Sequence, residues 1–315
     1  MTDEHASDQT PEDAGEDAPG RTEEPSRAAR FAAHLRDDEV SPEVERPAVM
    51  VIAFEGWNDA GGAASSAVRA LGTAFGAELV GRLEDEDYYD YQFTRPRIRS
   101  TDSHREIVWP STKLYRASAD GAEVDLLLVT GVEPSFRWQA FTADILTRAA
   151  EHDVAGIVLV GALLADVPHS RPIPASLSAQ DAALADLLDV DEPSYEGPTG
   201  IIGVLAHTAY QAGIPAVSLW AAVPHYVGQA PSPKAQLRLM RELEDLLGVS
   251  LDVEEVAEEA QAWERGVDEL AKEDTDIAEY VQRLEEATDT SELPQASGEA
   301  IAREFERYLR RRRRG

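Results

Sequence analysis

Cysteine is absent from this 315-residue sequence. Disulfides, thiolate nucleophiles, iron–sulfur clusters and cysteine-ligated zinc are thereby excluded. Lysine is nearly absent: Lys113, Lys234 and Lys272 are the whole complement, and only the first lies well inside the central part of the chain. A mechanism that holds phosphates with lysine, as ATP-grasp ligases commonly do, would therefore have to rely on arginine. No apolar run approaches the ~18 residues that a membrane-spanning helix needs. HExxH, His-x-His and DxDxDG are missing, so no metal site is expected. GxSxG, GxxxxGK[ST] and GxGxxG are missing as well, and no cofactor is expected. Positive charge is scarce, with 29 Lys+Arg against 60 Asp+Glu and a net charge of −31. That balance argues against a general nucleic-acid binder and against adsorption to an anionic membrane. A soluble, cytoplasmic protein without membrane attachment is the expectation.

What is present is unevenly distributed. Residues 1–45 hold 14 acids and four arginines among Pro, Gly, Ser and Thr, the composition of a disordered arm. Within it only Ala28 to Leu35, around Phe31, reads as a brief helix. Residues 46–240 have ordinary globular composition and a net charge of −10. Residues 241–300 carry −16, whereas 301–315 carry +5 through seven arginines. Three parts are expected: a disordered acidic arm over 1–46, an α/β domain over 47–247, and a helical extension with an Arg-rich tail over 248–315. The tail is expected to pair with acidic helices of its own chain or a neighbour rather than with nucleic acid.

In the central part, strand and helix patterns alternate. Ala48 to Phe54 is a continuously apolar, β-branched run, as in a strand buried on both faces. A helix follows from Ala63 to Phe75, with Asn58 or Asp59 as its N-cap. Further strands are expected at Ala77–Leu83, Val124–Thr130, Gly156–Leu164 and Ala216–Ala222. Glu106–Trp109 and Lys113–Ala117 flank Pro110-Ser111 and read as a hairpin. Helices are expected at Trp138–His152, Leu177–Leu188, from Gly200 to about Ala212, and at Ala235–Leu247. The fold class is α/β, a three-layer αβα sandwich with a mainly parallel sheet. Beyond Pro233 helical stripes dominate, ending in Ile301, Phe305, Tyr308 and Leu309. Helices with such narrow apolar stripes need the sheet domain or another subunit to dock on.

Ligands in open α/β sheets sit outside the carboxyl ends of strands. Four loops leave such ends with clustered polar residues, and they are expected to converge on one rim. The catalytic candidates are Asp59, Glu133, His169 and His225, suited to acid–base work. Glu55, Trp57, Asn58, Arg137, Asp166, Arg171 and Tyr226 are candidates for binding a small polar or anionic ligand. Each has a structural reading as well. Asp59 suits a helix cap, Glu133 and Arg137 an i, i+4 pair, and Gly56, Gly61 and Gly62 a tight turn.

Four loop sequences also carry a likeness. Phe-Glu-Gly-Trp-Asn-Asp-Ala-Gly-Gly (54–62), Gly-Val-Glu-Pro-Ser-Phe-Arg-Trp (131–138), Tyr-Glu-Gly-Pro-Thr-Gly-Ile-Ile-Gly (195–203) and Ser-Leu-Trp-Ala-Ala-Val-Pro-His-Tyr (218–226) resemble, in this order, the PAC2 family of proteasome assembly chaperone 2 and its archaeal and actinobacterial relatives. The resemblance covers about Pro47 to Gly248 plus the helical extension. It implies a phosphorylase-like αβα sandwich, often homo-oligomeric. It also implies a non-enzymatic binding protein whose partners include proteasome subunits. The alternative is a hydrolase- or ligase-like enzyme acting at the strand rim. The resemblance also implies that archaeal relatives engaging the proteasome can dock between its α-subunits through a terminal hydrophobic-Tyr-X motif. Here Tyr308-Leu309 is followed by Arg310 to Gly315, so that motif is lacking. The arginine-rich, lysine-poor composition is of an actinobacterial kind.

Overall fold

The computed structural model describes residues 25–36, 46–84, 86–101, 104–119, 121–229 and 231–290. Most of the acidic arm, the Ile301–Leu309 stripe and the arginine tail lie outside them.

The α/β expectation holds. A seven-stranded sheet has the order β2-β5-β6-β1-β7-β9-β8. Its centre comprises β6 (Asp125–Val132), β1 (Ala48–Glu55), β7 (Val154–Ala165) and β9 (Ala216–Pro224), all parallel. Antiparallel strands finish the two sides: β5 (Thr112–Ser118) and β2 (Glu78–Leu83) on one, β8 (Ala175–Ala179) on the other. The central strands read as near-continuous apolar runs because both faces are covered. In β1, Val49, Val51 and Ala53 face one core, and Met50, Ile52 and Phe54 face the other.

The first core is roofed by α1 (Arg27–Leu35), α2 (Ala63–Ala74), α4 (Ala182–Leu188) and α6 (Pro233–Leu247). The second is roofed by α3 (Trp138–Glu151) and α5 (Ile201–Gln211). The short helix expected around Phe31 is α1, and it is an integral part of the sandwich. Phe31 and Ala32 are fully buried in the first core, a burial worth about 1.5–3 kcal/mol for the phenyl ring.

Two local expectations fail. Glu106–Trp109 and Lys113–Ala117 do not pair with one another. The first overlaps β4 (Arg105–Val108), which pairs with β3 (Arg97–Ser100) in a separate ribbon, whereas β5 enters the main sheet between β2 and β6. β3 is short and charged, without a hydrophobic pattern to announce it, so its claim on β4 is invisible locally. The helix expected over Leu177–Leu188 is instead β8 followed by α4. Ser176 and Ser178 alternate with Leu177 and Ala179, and this period of two wins where β9 offers an edge. Asp181 then starts α4, its carboxylate accepting the Leu184 N–H at 2.8 Å.

The extension docks on this same sheet domain. α7 (Glu254–Glu273) packs on α6 and α8 (Thr275–Thr290) on α7. Ala260, Val267, Ala271 and Val281 are their buried apolar residues.

Candidate functional site

The strand-end residues do come to one end of the sheet, but they separate into groups with different tasks. On the β1–β6 side, Glu133 follows the end of β6 and holds three backbone segments. Its Oε1 accepts the Asn58 side-chain amide at 3.0 Å and the Ile201 N–H at 2.9 Å, and its Oε2 accepts the Trp57 N–H at 3.4 Å. The Ile201 contact caps α5, whose own N-cap residue, Gly200, has no side chain to do so. Glu133 and Arg137 are therefore not an i, i+4 pair. Arg137 points outward to Asp87. Glu55 likewise leaves the group, bonding Arg69 of α2 at 2.9 Å.

Asp59 is the cap of α2, from three residues before the formal N-cap, Gly62. Its Oδ1 accepts the N–H groups of Ala64 at 2.8 Å and Ser65 at 3.1 Å. The intervening turn needs Gly61 and Gly62 because both adopt left-handed φ, near +60° and +63°. Burial raises the Asp59 carboxyl above its ordinary range, opposed by the hydrogen bonds from Ser65 and Ala64 and by the Arg69 charge. Asn58, the other proposed cap, serves Glu133 instead.

On the β7–β9 side, α7 and α8 lie across the rim. The Tyr226 hydroxyl meets both the backbone N–H and Nδ1 of His169 at 2.7 Å. It accepts from the first. The other ring nitrogen, Nε2, faces Asp268 of α7 at 3.1 Å. Burial pushes the Tyr226 hydroxyl up to about 12. The Trp263 ring stands edge-on to His169 at 6.4 Å. Lys234 bonds the His169 carbonyl and Glu264. Tyr280 of α8 donates to Asp166, which also lies 3.2 Å from His225 Nδ1. Ser170 donates to Glu285, and Arg171 grips Asp289 through two bonds of 2.9 and 2.7 Å. The Tyr–His–Asp chain has the members of a proton relay. With His169 only 1% exposed and both ring nitrogens engaged, however, its present work is to fasten α7 over the strand ends.

The fastening residues Asp268, Tyr280, Glu285 and Asp289 escaped sequence reasoning. They sit on acidic helix faces that read as solvated. The signal available was the concentration of His, Arg and Lys on the rim opposite them.

Two cavities flank this structural rim. A groove of about 800 Å³ runs between α2, the β5–β6 surface and the β3–β4 ribbon. Arg69, Arg95, Arg97 and Lys113 line it beside Phe93 and Trp109, and Glu55 lies at its margin. Among the described residues, Arg95, Arg97 and Lys113 form no ion pair. Phe93 is 86% exposed, and Ile98, Ile107 and Trp109 are exposed nearby along the ribbon. A second cavity of about 340 Å³ lies on the opposite face, over β8 and β9. Trp57 and Asn58 line it; the other nominated residues line neither cavity, apart from Glu55. Among the described residues no group of three or more His, Asp or Glu side chains is placed to hold a metal ion, and no helix is long and apolar enough to cross a membrane.

The geometry thus defines an αβα protein whose strand-end rim is locked by structural hydrogen bonds and partly covered by its own C-terminal helices. Its open surfaces lie to either side. The PAC2 family model matches residues 53–271, and the chain belongs to the PAC2 family. A PAC2 family protein from Streptomyces avermitilis is 49% identical over 74% of this chain and 99% of its own, with a TM-score of 0.70. A Mycobacterium tuberculosis proteasome-assembly chaperone homologue is 46% identical over the same shares, with a TM-score of 0.68. An archaeal proteasome activator from Pyrococcus furiosus shares the fold at 17% identity, covering 73% of this chain and 95% of its own, with a TM-score of 0.57. No curated protein matches the chain.

Proposed function

We propose that this protein is a non-enzymatic, homo-oligomeric binding protein of the assembly-chaperone kind, with proteasome subunits as its partners. The observation that carries the reading is the open groove beside the β3–β4 ribbon. It combines solvent-exposed Phe93 and Trp109 with three cations that have no acidic partner among the described residues. In a chain with twice as many acids as bases, unpaired cations gathered beside exposed aromatic surface fit a protein partner with an acidic, partly apolar face. Likeness to the mycobacterial proteasome-assembly chaperone homologue supplies the direction. The structural employment of Asp59, Glu133 and His169 supports a role without catalysis.

Co-purification of 20S α-subunits with the wild-type protein, together with accumulated half-proteasomes in a deletion strain, is the expected result. Phe93→Asp combined with Arg97→Glu abolishes the co-purification. Normal proteasome assembly in the deletion strain with no α-subunit recovered would sink the reading. Light scattering of the purified protein tests the oligomer separately.

A further inference from the structure

The cavity over β8 and β9 is built differently from the groove. Its floor is the sheet face that carries Ser176, Ser178, Ser218 and Trp220, brought into line by the pairing Ser176↔Trp220 and Ser178↔Ser218. Trp220 lies flat on the sheet because position 161 of β7 is glycine. A Cβ there would stand 2.4 Å from the indole, so only a bare backbone leaves room for the ring. α5 forms one wall and contributes His207 and Tyr210. The facing wall is the 191–199 segment, tied to β8 by the Ala179 N–H bond to the Asp191 carbonyl at 3.1 Å. Tyr195 stands in this wall, its hydroxyl anchored on the Pro198 carbonyl at 2.8 Å. Trp57 and Asn58 border the cavity on the rim side.

The chemistry of the lining is one-sided. Four aromatic rings, Trp57, Tyr195, Tyr210 and Trp220, accompany three carboxylates, Asp181, Asp191 and Glu192, and no lysine or arginine is present. Gln180 adds a buried amide oxygen without a donor among the described residues. Such an acceptor is costly until a donor reaches it. Aromatic faces attract cations through their quadrupole, and carboxylates add charge and hydrogen-bond acceptance. An anion would meet repulsion from these carboxylates. The volume suits a small molecule.

We propose that this pocket binds a small organic cation, with its ammonium or guanidinium group among the aromatic rings and the carboxylates and its carbon skeleton on the hydroxyl-bearing floor. The site is separate from the partner groove, on the opposite face of the sheet and toward the opposite edge. Either can fail without the other.

Agmatine, which carries both head groups, is the probe, with glutarate as an anion of similar length. Titration followed by tryptophan fluorescence and by calorimetry should show saturable agmatine binding and none of glutarate. Asp191→Asn with Glu192→Gln, both on the exposed segment, should weaken binding about tenfold or more, with the far-ultraviolet circular dichroism unchanged. Trp220→Phe should weaken it about threefold or more and remove most of the fluorescence response. Absence of saturable agmatine binding to the full chain overturns the proposal. So does binding that survives both variants unchanged, or glutarate binding as tightly as agmatine.

Discussion

Glu133 and Ile201 are 68 residues apart in sequence, yet the carboxylate of the first caps the helix that the second begins, at 2.9 Å. One side chain thereby fixes the relative positions of the β1–α2 loop, the β6–α3 loop and the start of α5. A residue that looks catalytic in sequence, acidic and at a strand end, is here a joint between loops.

Removing that joint should be costly. Glu133→Ala leaves the α5 N-terminus and the Asn58 amide without their acceptor, a loss of about 1–3 kcal/mol and a fall in Tm of roughly 2–10 °C. Glu133→Gln retains an acceptor oxygen for Ile201 and should lose less. Scanning calorimetry on the two variants tests this order, and equal melting temperatures for Ala, Gln and wild type would refute the role.

The arm helix is a second point of control. Phe31→Ala opens a cavity among α1, α4 and α6 and should cost about 3–5 kcal/mol. Deletion of residues 1–46 should likewise expose the apolar surface that Phe31 and Leu35 cover, read as increased binding of a hydrophobic dye. An unchanged denaturant midpoint for Phe31→Ala would show that α1 contributes nothing to the folded unit.

Alkaline pH should loosen α7. Tyr226 is raised from its ordinary value of 10.0 to about 12, chiefly by burial. Its contribution is therefore fully present below pH 10 and is lost as the pH rises through about 12, because the unfolded phenol gives up its proton first. Tyr226→Phe should flatten the fall in stability across that interval. Urea midpoints measured from pH 9 to 12 provide the comparison, and parallel curves for the variant and wild type would contradict it.

Acid should loosen α8. The hydrogen bonds from Arg171 hold the Asp289 carboxyl below its ordinary range. The stabilisation is present above the ordinary carboxylate pKa and is lost as the pH falls through the lowered folded value. The pair is exposed, so the effect is small and salt-sensitive. Asp289→Asn should remove the part of the acid-induced change at Tyr280 that arises from this pair, followed by nuclear magnetic resonance. An identical pH response in the variant would exclude the pair as its source.

The groove and the pocket could not be found from the sequence by the same route as the strands. Pro110-Ser111 looked like a hairpin turn because the runs beside it alternate. The chain instead crosses there from the small ribbon to the main sheet, and that crossing creates the groove wall. The sequence pattern places Ser178 within a helix over Leu177–Leu188, which conceals the floor of the pocket. Trp57 and Asn58 border the pocket, whereas His169 and His225, with which they are expected to converge, are engaged by the α7–α8 cover.

The sequence by itself determined the αβα class, the order of the central strands and helices along the chain, and the PAC2 likeness. These rest on apolar periodicity and on loop residues in consecutive runs, both local properties. The tertiary structure alone decided that Phe31 belongs to the core, that Glu133 caps a distant helix, that acidic helices cover part of the rim, and that one open surface is basic and the other acidic. Those outcomes depend on which surfaces meet after the chain folds back on itself. A carboxylate on a helix face is solvated or paired according to what lies opposite it, and no local pattern carries that information.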